Sequence, residues 1–178
     1  DGIVDLKPLM HEVTGQLHQG FGGDRRKIIL RVNVPSYNTD ADTAIPLTLF
    51  VIEALTNAFK HGFESLSAKG TISVELVRLS PERLKFIVAD DGQGVILDMA
   101  PRQQNTGARL IAAFAHQVGG VVSTSQREGG GTVVELEFPD KTGGAGGVPQ
   151  LPTSTTEKPA VNVGAADREM DRVADPIG

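Results

Sequence analysis

Two pairs of alternating apolar segments, each joined by a short turn, limit the folds open to this chain. Residues 71–79 and 83–90 alternate with the period of a strand, and Ser80-Pro81-Glu82 joins them. Residues 121–126 and 132–138 repeat this arrangement around a glycine-rich turn. Because strands joined by a tight hairpin pair antiparallel, the chain is predicted to build a largely antiparallel sheet.

Helical segments precede and separate these hairpins. The spacing of apolar residues predicts helices over 4–17, 44–61 and 108–118, and residues 27–34 alternate like a further strand. Asp42 or Thr43 is the expected cap of the long central helix. Since consecutive strands are linked as hairpins, the helices can collect on one face of the sheet. The predicted fold class is therefore α+β, a two-layer α/β sandwich with a mostly antiparallel mixed sheet covered on one face by helices.

Composition restricts the classes of protein to which the chain can belong. The 178 residues include no cysteine, which excludes a disulfide scaffold and a thiolate metal site. The formal net charge of −5 argues against a nucleic-acid binder, because such proteins concentrate basic residues on one face. No apolar run approaches the roughly 18 residues of a membrane span. Contact with neither nucleic acid nor membrane is expected, and a cytoplasmic location is predicted.

The composition changes abruptly after Pro139. Residues 140–178 are rich in Gly, Pro, Ala and Thr and hold few large apolar side chains, so they cannot offset their ordering entropy. We therefore predict an N-terminal helix in 1–22, a main domain in 23–139 and a disordered low-complexity tail in 140–178. The chain starts at Asp1 without Met, so it is expected to be a fragment.

The central helix carries a polar stripe. Glu53 and Asn57 are four residues apart, as are Asn57 and His61, and Lys60 follows Asn57 by three, so all four are expected on one face. A carboxylate and an amide oxygen one turn apart suit a hard divalent cation. Lys60 and His61, at the end of the helix, could reach phosphate oxygens. The alternative is the exposed polar face of a surface helix.

A carboxylate directly ends the strand over 83–90. Asp90 closes the apolar run, and Gly92 and Gly94 follow it; two spaced glycines let backbone approach a ligand closely. A buried Asp90 would accept a hydrogen bond from the exocyclic amine of adenine. Guanine has a carbonyl at that position and would leave two acceptors facing each other. The alternative is a simple Asp-Gly turn.

Two further segments combine glycine with polar residues. Gly107 lies where Asn105–Leu110 opens a helix, and the free N–H groups of a first helical turn form an anion site with the helix dipole. An ordinary helix cap is the alternative there. Thr132 follows three glycines at the start of the last strand and could bond to Asp90 or, through water, to a base. A flexible hairpin turn is the alternative for this segment.

Together, in this order, the four segments resemble the nucleotide-binding boxes of the GHKL ATPases. That superfamily includes histidine kinases, gyrase-type topoisomerases, MutL-like repair proteins and an HSP-type chaperone. Residues 53–62 resemble the N box, 90–94 the first glycine box, 106–110 the second, and 131–132 the final Gly-Thr. The Asn-Ala-x-Lys-His ending of the N box is similar to the sensor histidine kinase branch that includes the HWE-type kinases.

The resemblance implies that residues 23–139 are the ATP-binding catalytic domain of a bacterial two-component sensor histidine kinase, with ATP and Mg²⁺ as cofactors. It implies catalytic roles for Glu53 and Asn57, with Asn57 also as the metal ligand, and a mobile lid over Val95–Thr106. The residues that it implies for ATP binding are Asn57, Lys60, His61, Asp90, Gly92, Gly94, Thr106, Gly107, Ala108, Arg109, Leu110 and Thr132.

The same resemblance implies transfer of the γ-phosphoryl group of ATP to a histidine. His11-Glu12-Val13-Thr14 begins like an acceptor motif, but it lies too near Glu53 to leave room for a helical hairpin. The expected partners are therefore an acceptor-histidine helical domain, upstream or in another subunit, and a response regulator. One alternative is a GHKL serine kinase of the anti-sigma-factor type, which also acts as a regulatory binding protein. The other is a non-catalytic binding module, which the presence of Glu53, Asn57 and Asp90 disfavours.

Overall fold

A computed structural model describes residues 2–63, 69–93, 106–143 and 147–151. In chain order the elements are β1 (Ile3–Asp5), α1 (Leu6–Gly20), α2 (Gly23–Arg26), β2 (Ile28–Asn33), β3 (Asn38–Asp40), α3 (Ala41–Asn57), a π turn (Ala58–Gly62), β4 (Gly70–Ser80), β5 (Arg83–Asp90), α4 (Thr106–Gln117), β6 (Val121–Gln126) and β7 (Thr132–Pro139). Every helix and strand predicted from hydrophobic periodicity is present, with ends within a few residues of the predicted ones.

Five strands of the described chain form one sheet in the order β2-β4-β5-β7-β6. β2 runs parallel to β4, and the other neighbouring pairs are antiparallel. The β4–β5 and β6–β7 pairs are the two predicted hairpins. A parallel pair needs a crossover connection, and α3 lies in the segment that connects β2 to β4. The predicted mixed, mostly antiparallel sheet is confirmed.

The central strands bury one face of the sheet. On β4, Ile72, Val74 and Leu76 are buried, whereas Ser73 and Glu75 between them are half-exposed. β5 and β7 alternate in a similar way, as expected for a sheet covered on one side. The buried side packs in one cluster with apolar residues of the helices, which confirms the two-layer sandwich. These helix residues include Met10, Leu47, Phe50, Leu55, Ile111 and Ala115.

The sequence does not predict the small antiparallel pair formed by β1 and β3. Each strand has three residues, too few to show an alternation. Asp5 holds the pair to the rest of the fold: its Oδ1 accepts the N–H of Lys7 at 3.0 Å, which caps α1, and the N–H of Tyr37 at 3.1 Å. The N–H of Leu6 also donates to the carbonyl of Tyr37 at 3.0 Å. The start of α1 is thereby fastened to the segment that leads into α3.

Helix α3 begins earlier than predicted, at Ala41. Its cap is Asp40, whose Oδ1 accepts the N–H of Thr43 at 2.7 Å, so the predicted caps Asp42 and Thr43 lie inside the helix. An N-cap carboxylate satisfies a first-turn N–H group that has no partner within the helix, and Asp40 is placed to do so. No described helix is long and apolar enough to cross a membrane.

The chain beyond Pro139 begins with a buried ion pair. Nη1 of Arg78 lies 2.8 Å from Oδ2 of Asp140. The hydroxyl of Tyr37, itself buried, donates to Oδ1 of Asp140 at 3.0 Å, and Thr142 donates to the same oxygen through both its N–H and its hydroxyl. The end of β4, the segment before β3 and the residues after β7 are thus joined.

Residues 149–151 then pair with β4. The N–H of Arg78 donates to the carbonyl of Pro149, and the N–H of Leu151 donates to the carbonyl of Arg78, both at 2.9 Å. Val148 is buried in the core cluster. The predicted disorder therefore does not hold for 140–143 and 147–151, because an ion pair and backbone pairing compensate for the scarcity of apolar side chains. The rest of the predicted tail lies outside the described residues.

Candidate functional site

Asp90 is the last residue of β5, and it is only 3 % exposed. Its Oδ1 accepts the N–H of Gly92 at 2.9 Å, and the carboxyl group also accepts the backbone N–H of Thr132. Burial raises the pKa of Asp90 above the usual aspartate range, and the two N–H donors offset only part of that rise. A buried carboxyl group whose surroundings raise its pKa is a candidate functional residue.

Three glycines let the backbone pack closely around Asp90. A Cβ at Gly62 would lie 2.9 Å from Oδ1 of Asp90, and a Cβ at Gly131 would overlap the carbonyl of Asp90. Gly131 also has a φ of 98°, which residues with side chains rarely adopt. Gly92 faces the carbonyl of Gly62, where a Cβ would again overlap. Side chains at any of these positions would crowd the carboxyl group or the backbone around it.

The loop after β5 is held from two sides. Oδ1 of Asp91 accepts the N–H of Thr71 at 2.6 Å, and the N–H of Asp91 donates to the carbonyl of Thr71 at 3.2 Å. The N–H of Gln93 donates to the carbonyl of Gly62 at 2.9 Å. Asp91 therefore positions the loop that contains Gly92, a role that the sequence interpretation missed. The available signal was a second carboxylate immediately after the end of the strand.

Glu53 and Asn57 lie one turn apart on α3, and both are half-buried. The first turn of α4 contacts them through Gly107. A Cβ at Gly107 would overlap Oε1 of Glu53 and would lie 3.3 Å from Nδ2 of Asn57. The absence of a side chain at Gly107 thus lets the backbone of α4 reach both polar side chains. The segments predicted as the N box and the second glycine box are in contact.

The start of α4 brings the backbone donors of a first helical turn to this place. The first four N–H groups of a helix have no partner within it, and the helix dipole adds a partial positive charge there. Gly107 is half-buried beside Glu53 and Asn57, so an anion received at this helix end would lie next to these side chains. The neighbouring residues of this turn are exposed: Thr106, Ala108, Arg109 and Leu110.

Lys60 and His61 are exposed, and they belong to the π turn that continues α3. A π turn has i→i+5 hydrogen bonds and is wider than an α turn, and such turns are frequent at functional sites. The α-helical spacing used for the predicted polar stripe therefore applies to Glu53 and Asn57. The directions of Lys60 and His61 are set instead by the π turn, which the sequence does not predict.

The two groups of contacts meet at one end of α3. Asn57 contacts Gly107, the π turn follows Asn57 directly, and Gly62 at the end of this turn contacts Asp90. The predicted metal-binding amide and the predicted adenine-reading carboxylate therefore lie at the same helix end. Gly94 and the predicted lid up to residue 105 lie outside the described residues.

Glu53 and Asn57 are residue types whose side-chain oxygen atoms suit Mg²⁺. Carboxylate and amide oxygens are hard ligands, and Mg²⁺ commonly takes its remaining ligands from substrate phosphates and water. Within the part of the chain that the structure describes, no group of three or more His, Asp or Glu side chains could hold a metal by itself. The donor set suits a shared ion better than a free-standing metal centre.

A cavity of about 640 Å³ lies elsewhere, between α1 and β2. Its lining includes His11, His18 and Lys27 and none of the predicted site residues. The contacts around Asp90 and Gly107, rather than this cavity, define the candidate site.

Residues 42–142 match the protein family described as histidine kinase-, DNA gyrase B-, and HSP90-like ATPases. The chain belongs to this family. The matched range runs from the first turn of α3 to just beyond β7, so it contains every predicted site residue. Membership in this ATPase family implies that the domain binds ATP.

Proteins similar to this ATPase domain are sensor proteins and kinases. It is 33 % identical over 140 residues to blue-light-activated histidine kinase 2 of Erythrobacter litoralis. The aligned residues make up 78 % of this chain and 39 % of that protein. It is also 28 % identical over 135 residues to the nitrate/nitrite sensor protein NarQ of Escherichia coli. This second alignment covers 76 % of this chain and 22 % of that protein. The chain therefore spans less than half the length of either relative.

A solved structure supports the same fold. The histidine kinase domain of the Erythrobacter litoralis EL346 blue-light activated histidine kinase matches the domain with a TM-score of 0.68 at 28 % identity. The match covers 76 % of this chain and 61 % of the solved one. The fold implied by the resemblance to GHKL ATPases is thereby confirmed.

Proposed function

We propose that this ATPase domain is the catalytic domain of a two-component sensor histidine kinase and transfers the γ-phosphoryl group of ATP to a histidine outside this chain. One observation carries the proposal: Gly62 contacts the buried Asp90, and Gly107 contacts Glu53 and Asn57, at one end of α3. A group suited to adenine and a group suited to phosphate would then serve a single nucleotide. The histidine kinase named above favours this activity over the serine-kinase alternative.

Asp90 is assigned to the adenine ring. Its buried carboxyl group can accept a hydrogen bond from the exocyclic amine, and glycine backbone rather than side chains packs around it. Guanine has a carbonyl at that position, so two hydrogen-bond acceptors would face each other, at a cost on the order of 1–3 kcal/mol. That cost corresponds to a preference for adenine of about ten- to hundredfold. Thr132 supports the carboxyl group through its N–H.

Glu53 and Asn57 are assigned to the phosphate end of the nucleotide. Asn57 would hold Mg²⁺ through its amide oxygen, and Glu53 would orient a water molecule or accept a proton. When bound, Mg²⁺ neutralises charge on the β- and γ-phosphates. Lys60 and His61 are assigned to phosphate oxygens. The N–H groups of the first turn of α4, over Thr106–Leu110, are assigned to the same oxygens.

The proposed reaction is a displacement at the γ-phosphorus. A ring nitrogen of the acceptor histidine forms a bond to phosphorus while the bond from phosphorus to the β–γ bridging oxygen breaks, and ADP leaves with that electron pair. The proton on the other ring nitrogen can pass to Glu53, directly or through water. Phosphoryl transfer demands little covalent chemistry of the protein, so the domain contributes positioning and charge stabilisation.

The acceptor histidine is proposed to belong to a helical domain, upstream or in another subunit. His11 and His116 are exposed on α1 and α4, and His18 is half-buried; the proposal gives none of these three the acceptor role. A response regulator would then receive the phosphoryl group on an aspartate. The cytoplasmic location and the division at residues 22 and 139 stay predictions.

Acid and base stability of the product tests the proposal. The gene product that contains this chain, incubated with ATP labelled at the γ-phosphate, is expected to carry label that survives base and is lost in acid, as a phosphoimidazole does. Label that survives acid and is lost in base would indicate phosphoserine, and the serine-kinase alternative would replace the proposal. Failure of the chain to bind a non-hydrolysable ATP analogue by calorimetry would overturn the proposed use of the site altogether.

A further inference from the structure

Three rings form a cluster, here called the aromatic cluster, where α1 ends beside the π turn. The rings of Phe21 and Phe59 stack with centroids 5.0 Å apart and planes 8° from parallel. The ring of His18 lies 6.1 Å from that of Phe59, tilted by 50°. His18 and Phe21 belong to the end of α1, and Phe59 belongs to the π turn. The end of the first long helix therefore contacts the segment that follows Asn57.

The members of the aromatic cluster from α1 are themselves held in place. Nε2 of His18 lies 2.7 Å from the carbonyl oxygen of Ile28, the first residue of β2. The backbone of Gly23 also approaches this ring so closely that a Cβ there would overlap it. The N–H of Phe21 donates to the carbonyl of Leu17 at 2.9 Å and so closes the end of α1. The surface that meets Phe59 is thus fixed by the backbone of α1, α2 and β2.

Phe59 is a buried residue of the π turn, and the two side chains that follow it are exposed. Phe59 is 1 % exposed, and Lys60 and His61 follow it directly. At the far end of the same turn, the carbonyl of Gly62 accepts the N–H of Gln93, and Gly62 faces Asp90. The π turn is therefore fastened to the loop after β5 at one end and to the aromatic cluster at the other. A wide turn of this kind is rare in helices, so contacts outside the helix are needed to maintain it.

We infer that the aromatic cluster is a positioning element for phosphate binding: by stacking on Phe59, His18 and Phe21 fix the π turn and with it the directions of Lys60 and His61. The inference rests on the proposed function, which assigns Lys60 and His61 to phosphate oxygens. It adds three residues, two of them outside the nucleotide-binding boxes, to the determinants of ATP affinity. It also implies that the contact of α1 with Phe59 is needed for binding the phosphates but not for binding the base.

Affinity for the phosphates and for the base can be measured separately. In Phe21→Leu, affinity for a non-hydrolysable ATP analogue, measured by calorimetry, is expected to fall about tenfold, the loss of roughly one charge-assisted hydrogen bond. Affinity for adenosine, which has no phosphate, is expected to stay within about twofold of the unaltered chain when measured by ligand-observed NMR. Phe21→Tyr retains the ring and is expected to restore the affinity for the analogue.

Phe138→Leu is the matched control for loss of a stacked ring. Phe138 stacks on Phe86 with centroids 6.0 Å apart, in the core beneath the sheet and away from the π turn. This variant is expected to lower the melting temperature at least as much as Phe21→Leu while leaving the ratio of ATP-analogue to adenosine affinity unchanged. A purely structural role for Phe21 predicts the same behaviour in both variants.

A second pair of variants leaves the three rings intact. Gly23→Ala places a methyl group against the ring of His18, whereas Gly20→Ala, at the end of α1, places one in open space, and neither glycine has a positive φ. Gly23→Ala is expected to lower the affinity for the ATP analogue severalfold with adenosine unaffected, and Gly20→Ala to change neither.

Two results would overturn the inference. One is an unchanged affinity for the ATP analogue in both Phe21→Leu and Gly23→Ala; the other is a parallel loss of analogue and adenosine affinity. If the unaltered chain fails to bind the analogue, the proposed function fails first. If it binds and only the variants behave contrary to expectation, the aromatic cluster alone loses its role.

Discussion

Gly62 lies against the buried carboxyl group of Asp90, and a Cβ at position 62 would lie 2.9 Å from Oδ1. The two residues come from different elements, the π turn after α3 and the end of β5. Their contact joins the helix that carries Glu53 and Asn57 to the strand that ends in the proposed adenine-reading group. This contact therefore sets how closely α3 and the end of β5 approach each other at the proposed nucleotide site.

Gly62→Ala is expected to weaken ATP binding. The added methyl group must displace the carboxyl group of Asp90, which is held by the N–H of Gly92 at 2.9 Å. A shift that loses one hydrogen bond to the base corresponds to about a tenfold lower affinity, measurable by titration calorimetry with a non-hydrolysable analogue. Gly15→Ala, where the methyl group meets open space on α1, serves as the control. Equal affinities in the two variants would contradict the close fit proposed at Gly62.

Asp90→Asn is expected to abolish measurable binding of the ATP analogue. An amide in place of the carboxyl group turns one acceptor into a donor, which would face either the amine of adenine or the N–H groups of Gly92 and Thr132. The expected loss is about hundredfold or more. Asp42→Asn in the first turn of α3 removes the same charge away from the site and should bind normally. Unchanged affinity in Asp90→Asn would reject its role in reading adenine.

The same substitution is expected to remove a pH-dependent penalty on the folded state. Because burial raises the pKa of Asp90 in the folded chain, the folded state binds the proton more tightly than the unfolded state. The free energy of unfolding therefore falls as pH rises from the usual aspartate pKa of 3.8 through the raised value, and the penalty persists above it. In thermal unfolding from pH 3 to 7, the melting temperature of Asp90→Asn should rise relative to that of the unaltered chain as pH rises. A constant difference across that range would show that the charge of Asp90 carries no such penalty.

Asn57→Ala is expected to remove the Mg²⁺ dependence of nucleotide binding while leaving adenosine binding unchanged. Asn57 supplies the only amide oxygen proposed as a ligand, and Glu53 alone offers the ion a single side chain. Calorimetric titrations with the ATP analogue, with and without Mg²⁺, measure the dependence directly. Thr56→Ala alters the neighbouring half-buried residue and should retain it. Retained dependence in Asn57→Ala would remove this residue from the metal site.

The elements with a regular period could be predicted from the sequence, because burial on one side produces that period. β4 and β5 alternate over 70–80 and 83–90, and their pairing follows from the short turn between them. The three-residue strands β1 and β3 have no such pattern. The ordering of residues after Pro139 depends on Tyr37, which bonds to Asp140 across a separation of 103 residues. Nothing local to either residue indicates that contact.

The residue types of the candidate site could also be predicted, but its geometry could not. Asp90, Gly92 and Thr132 were expected near one another, and the structure brings them into contact. The π turn was not expected, because residues 58–62 have the composition of an ordinary helix end and the ring that packs on Phe59 comes from the distant α1 segment. Asp91 bonds to the backbone of Thr71, and Gly131 packs against the backbone of Asp90. These contacts join segments that are distant in the sequence, so no local pattern predicts them.

Asp140 is expected to give the fold an acid-sensitive contribution far from the nucleotide site. Burial raises the pKa of Asp140, but donors from Thr142, Arg78 and Tyr37 outweigh it and hold the pKa at about 2. The folded pKa lies below the unfolded value of 3.8, so the stabilisation is complete above pH 4 and is lost as pH falls towards 2. A lowering of this size corresponds to about 2 kcal/mol at neutral pH.

Asp140→Asn should therefore lower the free energy of unfolding, measured by urea denaturation, by about 2 kcal/mol at pH 7. This difference in stability between the variant and the unaltered chain should shrink between pH 4 and pH 2, because the unaltered chain loses the same contribution there. Asp24→Asn, whose side chain is 88 % exposed, should leave that acid dependence as it is. Nucleotide affinity should not change in Asp140→Asn, because Asp140 follows the last residue of β7 and Asp90 lies beside the first. A deficit that stays constant down to pH 2 would mean that the ion pair with Arg78 does not stabilise the folded chain through the charge of Asp140.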